Sequence, residues 1–500
     1  MACIFHGGLV KRRRIVQFHS HCAKLDYGVP DNTHNNLKRA VLERVYFVKD
    51  GYGGYMPPPQ PQPDAWDVLM RPFARKLKRH LPSTTPDTEH EFAQRYRGRK
   101  QTIYTSAADD VVLSGIQHKH AYTQSFTKAD KANLTAKPDP APRVIHPRNP
   151  RYNVGVGRYI KKIEHDVYRA IEKVFGGPTV AKGRNAWEVG AMFEENWAHF
   201  KRPAAIPLDA VRFDQHTSQA ALRYEHQFYM HMYKGDRELQ KLLSWQLVNQ
   251  CFGRTADGEI RYKTSGGRMS GDMNTALGNV ILMCGMVWTA CRDAGVRKFR
   301  LVNNGDDCVI IVERRNVQRL VGSLPTFFLR LGYQLTIEKA VTQLEHIEFC
   351  QMHPVFDGER WTVVRNFPVC TSKDAISIKP ITNPASFDAF RGAIGACGLA
   401  AYGNIPVLGA YYDMMLRGVQ KVAATELESG FQFLALRMTN RRETPSEAAR
   451  LSFYEAFGFD PHLQAALEEM YDSIQLSWND PIYVDHFGGR PELRRPHEVL

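Results

Sequence analysis

Asp209-x4-Asp214, Ser270-Gly271-x3-Thr275-x3-Asn279 and Gly305-Asp306-Asp307 occur in that order along the chain, and together they hold the residue types that nucleotidyl transfer requires. Joining a hydroxyl to the α-phosphate of a nucleoside triphosphate uses two divalent cations about 3.5–4 Å apart, one activating the attacking oxygen and one stabilising the departing pyrophosphate. Such hard cations take carboxylate oxygens, and magnesium completes its shell with water and phosphate oxygen, so a few protein ligands suffice. Asp209 and Asp306 would supply them, with Asp307 assisting. Each group alone is weak, because Gly-Asp is an ordinary turn pair and Asp-Asp on a turn is usually solvated surface. Their order and coexistence give them weight.

These side chains need elements to carry them. Leu301-Val302-Asn303 and Cys308-Val309-Ile310-Ile311 are apolar, strand-like runs on either side of the acids, which predicts a hairpin with Asp306 and Asp307 at its tip. Ile206-Pro207-Leu208-Asp209 reads as a short strand ending in an acid, and Ser218 is placed to cap a helix running through Leu222, Phe228 and Met230. The segment 259–267 is polar and Gly-rich. A helix is expected from about Asp272 to Cys291, on which Thr275 and Asn279 share a face, with Ser270 and Gly271 in the loop that enters it. The run Val280-Ile281-Leu282-Met283 buries that helix, and buried polar groups need partners. A nucleotide sugar held between Asn279, Ser270 and Asp214 would provide them. An acid with an amide partner can accept a hydrogen bond from a 2′-hydroxyl, which favours ribonucleotides. Further on, a helix from Val317 to Leu331, a strand from Tyr333 to Ile337 and a mainly helical region beyond Pro384, with a helix starting at Ser446-Glu447, complete an α+β chain. There is no internal repeat.

Bulk composition narrows the partners. The chain has 500 residues, 43% of them hydrophobic, a formal charge of +14 and a pI near 9.3, which suits a multi-lobed body with a polyanionic partner, nucleic acid first and anionic membrane second. Nine cysteines without a C-x-x-C pair argue against a zinc site or a disulfide framework. No signal peptide and no apolar stretch of about 18 residues is evident, so a membrane role would need another chain. Residues up to about Leu81 read as a basic, loop-rich extension, either solvated or in contact with RNA. From Lys128 to Lys162 cations far outnumber acids. Prolines at 138, 140, 142, 147 and 150 predict that these cations stand on extended, stiffened backbone, suited to lining a channel. No Gly-x4-Gly-Lys-Ser/Thr loop occurs, which leaves a helicase unsupported. A reverse transcriptase would usually show an aromatic residue where Asn304 stands. A non-catalytic RNA-binding scaffold would explain the charge but not the three acids together.

The ordered blocks resemble motifs A, B and C of the RNA-directed RNA polymerases of positive-strand RNA viruses. More narrowly, the stretch Pro142 to Asn153, Phe213-Asp214-Gln215-His216, Met269 to Asn279 and His346-Ile347-Glu348-Phe349-Cys350-Gln351 are similar to the Tombusviridae replicases, over a likeness running from about Tyr27 to Glu468. The resemblance implies a right-hand fold of fingers, palm and thumb, with an antiparallel-sheet palm and a mainly helical thumb. It divides the chain into a basic N-terminal or fingertip region (1–100), fingers (101–200), palm (201–383, with a fingers insertion at about 225–262) and thumb (384–500). It implies Asp209 and Asp306 as ligands of Mg2+ or Mn2+, Asp307 as an accessory acid, and Asp214, Ser270, Gly271, Thr275 and Asn279 as nucleotide-binding residues. Arg143, Arg148, Arg151 and Arg158 match motif F, which covers the incoming triphosphate. Lys339 is the candidate for the motif D proton donor, and Phe349-Cys350-Gln351 for motif E, with Cys350 a packing residue. The implied partners are template and nascent RNA, ribonucleoside triphosphates, a membrane-anchoring viral replication protein and host factors. The implied place is the host cytoplasm at membrane-associated replication complexes, with primer-independent initiation; polymerases of this family are often made by readthrough or frameshift from a shorter membrane-anchoring protein.

Overall fold

The computed structural model describes residues 1–17, 19, 26–420, 434–439, 441–478 and 482–484. Cys22 and parts of the 384–500 region lie outside the described residues. At the centre is a four-stranded antiparallel sheet in the order Phe299–Asn303, Asp307–Glu313, Pro203–Ala210, Leu335–Ile337. Its strands are apolar on both faces because both faces are covered. Leu301, Cys308, Ile310 and Val312 point into the larger core with Ile206 and Leu208, against the helix Thr275–Asp293. Val302, Val309 and Ile311 point the other way, into a second core with Phe193, Ile347 and Val363. Period-2 alternation therefore fixes the register: Ile310 pairs with Leu301 on one side and Ile206 on the other, and Asp307 falls opposite Asp209. Gly305, at φ +99°, supplies the left-handed backbone that the hairpin turn needs.

A second sheet, in the order Ala2–Phe5, Gly258–Ser265, Val248–Thr255, Thr123–Thr127, Val144–Ile145, stands beside the first. Here the segment 259–267, read from sequence only as polar and Gly-rich, is one arm of a long hairpin. The inward residues Ile260, Tyr262 and Thr264 alternate with exposed Arg261 and Lys263. The helix His34–Val41 packs under this sheet through Leu37, Ala40 and Val41.

The N-terminal region is not the loop-rich extension expected from its composition. Arg71–Lys78 is a helix whose Phe73, Ala74 and Leu77 enter the main core, so its cations are the outer face of a packed element. The expectation of extended backbone from Lys128 to Lys162 holds only in part. Pro150 does not interrupt a helix; it is the first residue of one, Pro150–Phe175, with Asn149 accepting a hydrogen bond from the Arg151 amide at 2.9 Å. Proline lacks only an N–H that this position leaves unbonded anyway. Arg151, Arg158, Lys161 and Lys162 are consequently helical.

Other boundaries follow the sequence closely. Ser218 accepts from the Ala221 amide to open Gln219–Met232, and Ser446 does the same for Glu447–Phe457. The helix expected from Asp272 starts at Thr275, because the Asp272 carboxylate is committed to Arg148 and the backbone turns there. Thr275–Asp293 is long and apolar enough to cross a membrane by length and composition, yet 83% of its apolar window is buried inside the protein. The helices Pro384–Tyr402, Leu408–Leu416, Glu447–Phe457 and Pro461–Ser473 share a third core around Tyr411, Tyr412, Phe453 and Tyr471.

Candidate active site

Strand pairing brings the acids together. Asp209 is the penultimate residue of its strand and Asp307 the first of the next, and the two are register partners, with Asp306 at the turn beside them. Burial and the neighbouring Asp306 raise the pKa of Asp307, and Asp209 adds to this. Glu338 is pushed up by burial and by Glu348, Asp209 and Asp307. Among the described residues no group of three or more His, Cys, Asp or Glu side chains is gathered tightly enough to hold a metal ion as it stands. The donor set nevertheless fits a hard divalent cation: carboxylate oxygens on adjoining strand ends, repelling one another, with a cavity in front of them.

That cavity measures about 1480 Å³, and its walls include Asp209, Asp214, Ser270 and Asp306 together with Arg44, Arg143 and Arg212. Asp214, on the short helix Phe213–His216, accepts a hydrogen bond from Asn279 Nδ2 at 3.0 Å. Asn279 Oδ1 accepts in turn from Arg268 Nε at 3.1 Å. Arg268 is fully buried against Glu225, which also accepts from Asn274 Nδ2 at 2.6 Å and from the Tyr229 hydroxyl at 2.7 Å. A buried ion pair thus fixes the amide, and the amide fixes the acid. Asp214 titrates at about 6, lifted mainly by burial while Asn279 and Arg268 hold it down.

Ser270, Gly271 and Asp272 dock the loop before the long helix onto the segment 144–148. The Ser270 hydroxyl donates to the Val144 carbonyl at 3.3 Å, and a Cβ on Gly271 would stand 2.3 Å from the His146 carbonyl oxygen. Gly271→Ala is therefore expected to displace this loop, at a cost of about 1–3 kcal/mol in stability. A lowered thermal midpoint together with a raised nucleotide KM would register it.

Several expected site residues are elsewhere. Thr275 uses its hydroxyl to close the loop on the Met269 carbonyl at 3.1 Å and does not line the cavity. Arg148 is buried, paired with Asp272 and bonded to Asn249 Oδ1 at 2.7 Å, so its charge is spent inside the protein. Arg151 pairs with Asp110 at 2.9 Å, and Arg158 with Glu238 at 2.7 Å, because the helix begun at Pro150 carries both away from the acids. Of the four motif F candidates only Arg143 reaches the cavity. Lys339 is exposed just past the strand Leu335–Ile337 and outside the cavity wall, whereas its neighbour Glu338 feels Asp209 and Asp307. Cys350 Sγ lies 3.5 Å from Asp307 Oδ2, and burial and Asp307 push its thiol up to about 12, so it packs and does not attack.

Arg44 and Arg212 were not foreseen. Arg44 sits on a π-helical turn, Leu42–Tyr46, and its pKa falls to about 10 through burial and then through the facing Arg212 and Arg143. Three guanidinium groups converging on one cavity make a site for a polyanion. Arg212 lies between the two aspartates of the first block, which was the one available sequence signal; for Arg44 there was none.

These features define a class. The family model described as viral RNA dependent RNA polymerase matches residues 1–479, and the chain belongs to that family. It is 42% identical over 490 residues to the RNA-directed RNA polymerase of Turnip crinkle virus, covering 96% of this chain and 62% of that protein. It is similar also to the RNA-directed RNA polymerases of Melon necrotic spot virus (41% over 476 residues; 94% and 60% covered) and of Tobacco necrosis virus strain A (40% over 481 residues; 95% and 66% covered). The likeness to Tombusviridae replicases read from the motif blocks is borne out, and the chain spans about 60% to 66% of the length of these relatives.

Proposed function

We propose that this chain copies a positive-strand RNA genome by template-directed transfer of ribonucleotides, with the nascent strand's 3′-hydroxyl attacking the α-phosphate and pyrophosphate leaving. The observation that carries this reading is the convergence of Asp209, Asp306 and Asp214, the last held by Asn279, on one cavity that Arg44, Arg143 and Arg212 also line. The four-stranded sheet and its helices serve as palm, the second sheet with the Pro150–Phe175 helix as fingers, and the helices after Pro384 as thumb. In this reading the divisions are near 100, 200 and 383, with a fingers insertion at about 225–262 that takes in most of the hairpin Val248–Thr255/Gly258–Ser265.

Asp209 and Asp306 would hold the divalent ions, magnesium or manganese, with Asp307 assisting; when bound, these supply activation of the hydroxyl and charge neutralisation at the phosphates. Arg143, Arg44 and Arg212 offset the charge of the triphosphate. Asp214 accepts the ribose 2′-hydroxyl, and Asn279 keeps the acid oriented. Ser270 flanks the sugar, and Lys339 or its neighbour Glu338 is the remaining candidate for handling a proton. Initiation without a primer, a membrane-anchoring replication protein, host factors and work at membrane-associated complexes in the host cytoplasm belong to this reading.

The deciding experiment measures incorporation of labelled ribonucleotides against deoxynucleotides on a heteropolymeric RNA template. Template-length product from ribonucleotides supports the reading; RNA binding without product would replace it with a scaffold, and preference for deoxynucleotides with a reverse transcriptase. Asp214→Asn is expected to reduce ribose discrimination about 10- to 100-fold, the worth of one hydrogen bond to a charged group. Discrimination in the unsubstituted chain should also strengthen as pH rises through about 6, where Asp214 becomes a carboxylate able to accept. The stability term has the opposite sign. Between the unfolded value of 3.8 and about 6 the folded chain binds the extra proton, so this group's contribution falls as pH rises across that window and is flat above it.

A further inference from the structure

Two cavities meet at the turn carrying Asp306, and they share Arg44 and Arg143 in their walls. The first holds Asp209, Asp214, Ser270 and Asp306. The second, of about 1130 Å³, takes Asn304 from the same turn together with Lys182, Cys350 and Gln351. Strand extension brings two reactants to one set of carboxylates. The sugar-reading acid and Arg212 belong to the first cavity alone, which assigns the incoming triphosphate there and leaves the second for the strand end.

Lys182 is held at that second cavity by backbone. Val180 bridges Asn303 in parallel; the Asn303 amide donates to the Thr179 carbonyl, and the Ala181 amide to the Asn303 carbonyl, each at 2.8 Å. The segment is thereby fastened along the edge of the strand that leads into the turn. Gly183, at φ +78°, turns the chain away again, and Arg184 Nε donates to the Val180 carbonyl at 3.1 Å. Lys182 Nζ consequently stands 3.6 Å from where a Cβ on Gly305 would be. Its cationic neighbours are engaged, Arg184 by Glu172 at 2.7 Å and Arg365 by Asp374 at 2.8 Å. Lys182 is half-buried, and among the described residues its ammonium makes no ion pair or hydrogen bond, while Asp307 feels its charge at longer range. An ammonium with three donors and no acceptor, one residue's width from the catalytic turn, is placed for a phosphate.

We propose that Lys182 is a positioning residue that grips the terminal phosphodiester of the growing RNA strand and holds its 3′ end against Asp306, on the side opposite the incoming triphosphate. The proposal rests on the polymerase reading. A strand phosphodiester and a triphosphate share one chemistry, and the experiment separates them by which reactant's binding changes.

The full chain, Lys182→Met, Lys182→Arg and Arg212→Ala are compared in extension of a short RNA primer annealed to an RNA template, varying primer–template and nucleotide concentrations separately. Lys182→Met is expected to raise the primer–template KM about tenfold or more, the loss of one charge-assisted contact, with nucleotide KM unchanged within about twofold. Lys182→Arg should restore most of the loss, and Arg212→Ala, which touches the first cavity alone, should give the reverse split. Because Lys182 has no ion pair to lose, thermal midpoints should match that of the unsubstituted chain. A raised nucleotide KM for Lys182→Met would transfer the residue to the triphosphate and overturn the proposal, as would unchanged primer–template KM. A lowered thermal midpoint with both KM values disturbed would make the role structural and overturn it as well. Absence of product from the unsubstituted chain would instead overturn the polymerase reading, and this inference with it; product from that chain with no change in Lys182→Met sinks this inference alone.

Discussion

Asp306→Ala is expected to lower template-directed incorporation by about 10³-fold or more, equivalent to about 4 kcal/mol of transition-state stabilisation, while leaving RNA binding intact. The residue is suited to such a clean test. Asp306 is exposed at the tip of its turn and, among the described residues, makes no hydrogen bond or ion pair, so its removal leaves no buried partner stranded. Asp307 is a poorer choice, since its carboxylate contacts the Cys350 thiol and faces Asp209 across the strand pair. Incorporation and filter binding on the same two proteins are the measurements. Retained incorporation would remove Asp306 from the chemistry.

Arg268→Ala should have the largest effect on stability, about 3–5 kcal/mol, because it leaves Glu225 charged and unpaired in the interior. Both side chains are fully buried, and Glu225 also accepts from Asn274 and Tyr229, so the acid cannot simply turn toward solvent. The substitution also frees Asn279 Oδ1, loosening the amide that orients Asp214. Denaturant unfolding should show the loss. The double substitution Arg268→Met with Glu225→Gln should recover much of it, since it removes both charges while the amide oxygen still accepts from Asn274 and Tyr229. Recovery of stability without recovery of ribose discrimination would separate the pair's two consequences.

Local pattern and motif order made the acids legible. The apolar halves around Asp306 could hardly be anything but a hairpin, and Ser218 and Ser446 announced their helices through a capping requirement that acts over three residues. What the sequence hid was long-range. Nothing near Arg148 says that its carboxylate partner, Asp272, lies 124 residues away, so a buried structural cation was indistinguishable from a substrate-facing one. Pro150 was ambiguous because proline both breaks helices and starts them, and only the placement of Asn149 as cap decides. The hairpin 248–265 was obscured by inward residues that are themselves polar, Asn249 and Thr264, which blunt the alternation. Arg44 and Lys182 carry no local mark; they matter only through what the fold places opposite them.

The strand pair that sets Asp209 against Asp307 also limits how the gene can change length. Both strands are packed on two faces, so one codon gained or lost within 203–210 or 307–313 would exchange the side chains destined for the two cores and move the carboxylates out of step. Point changes there can be absorbed one at a time, but a shift in reading length cannot. In-frame length variation among relatives should therefore collect in the connections between strands and be missing from these two segments.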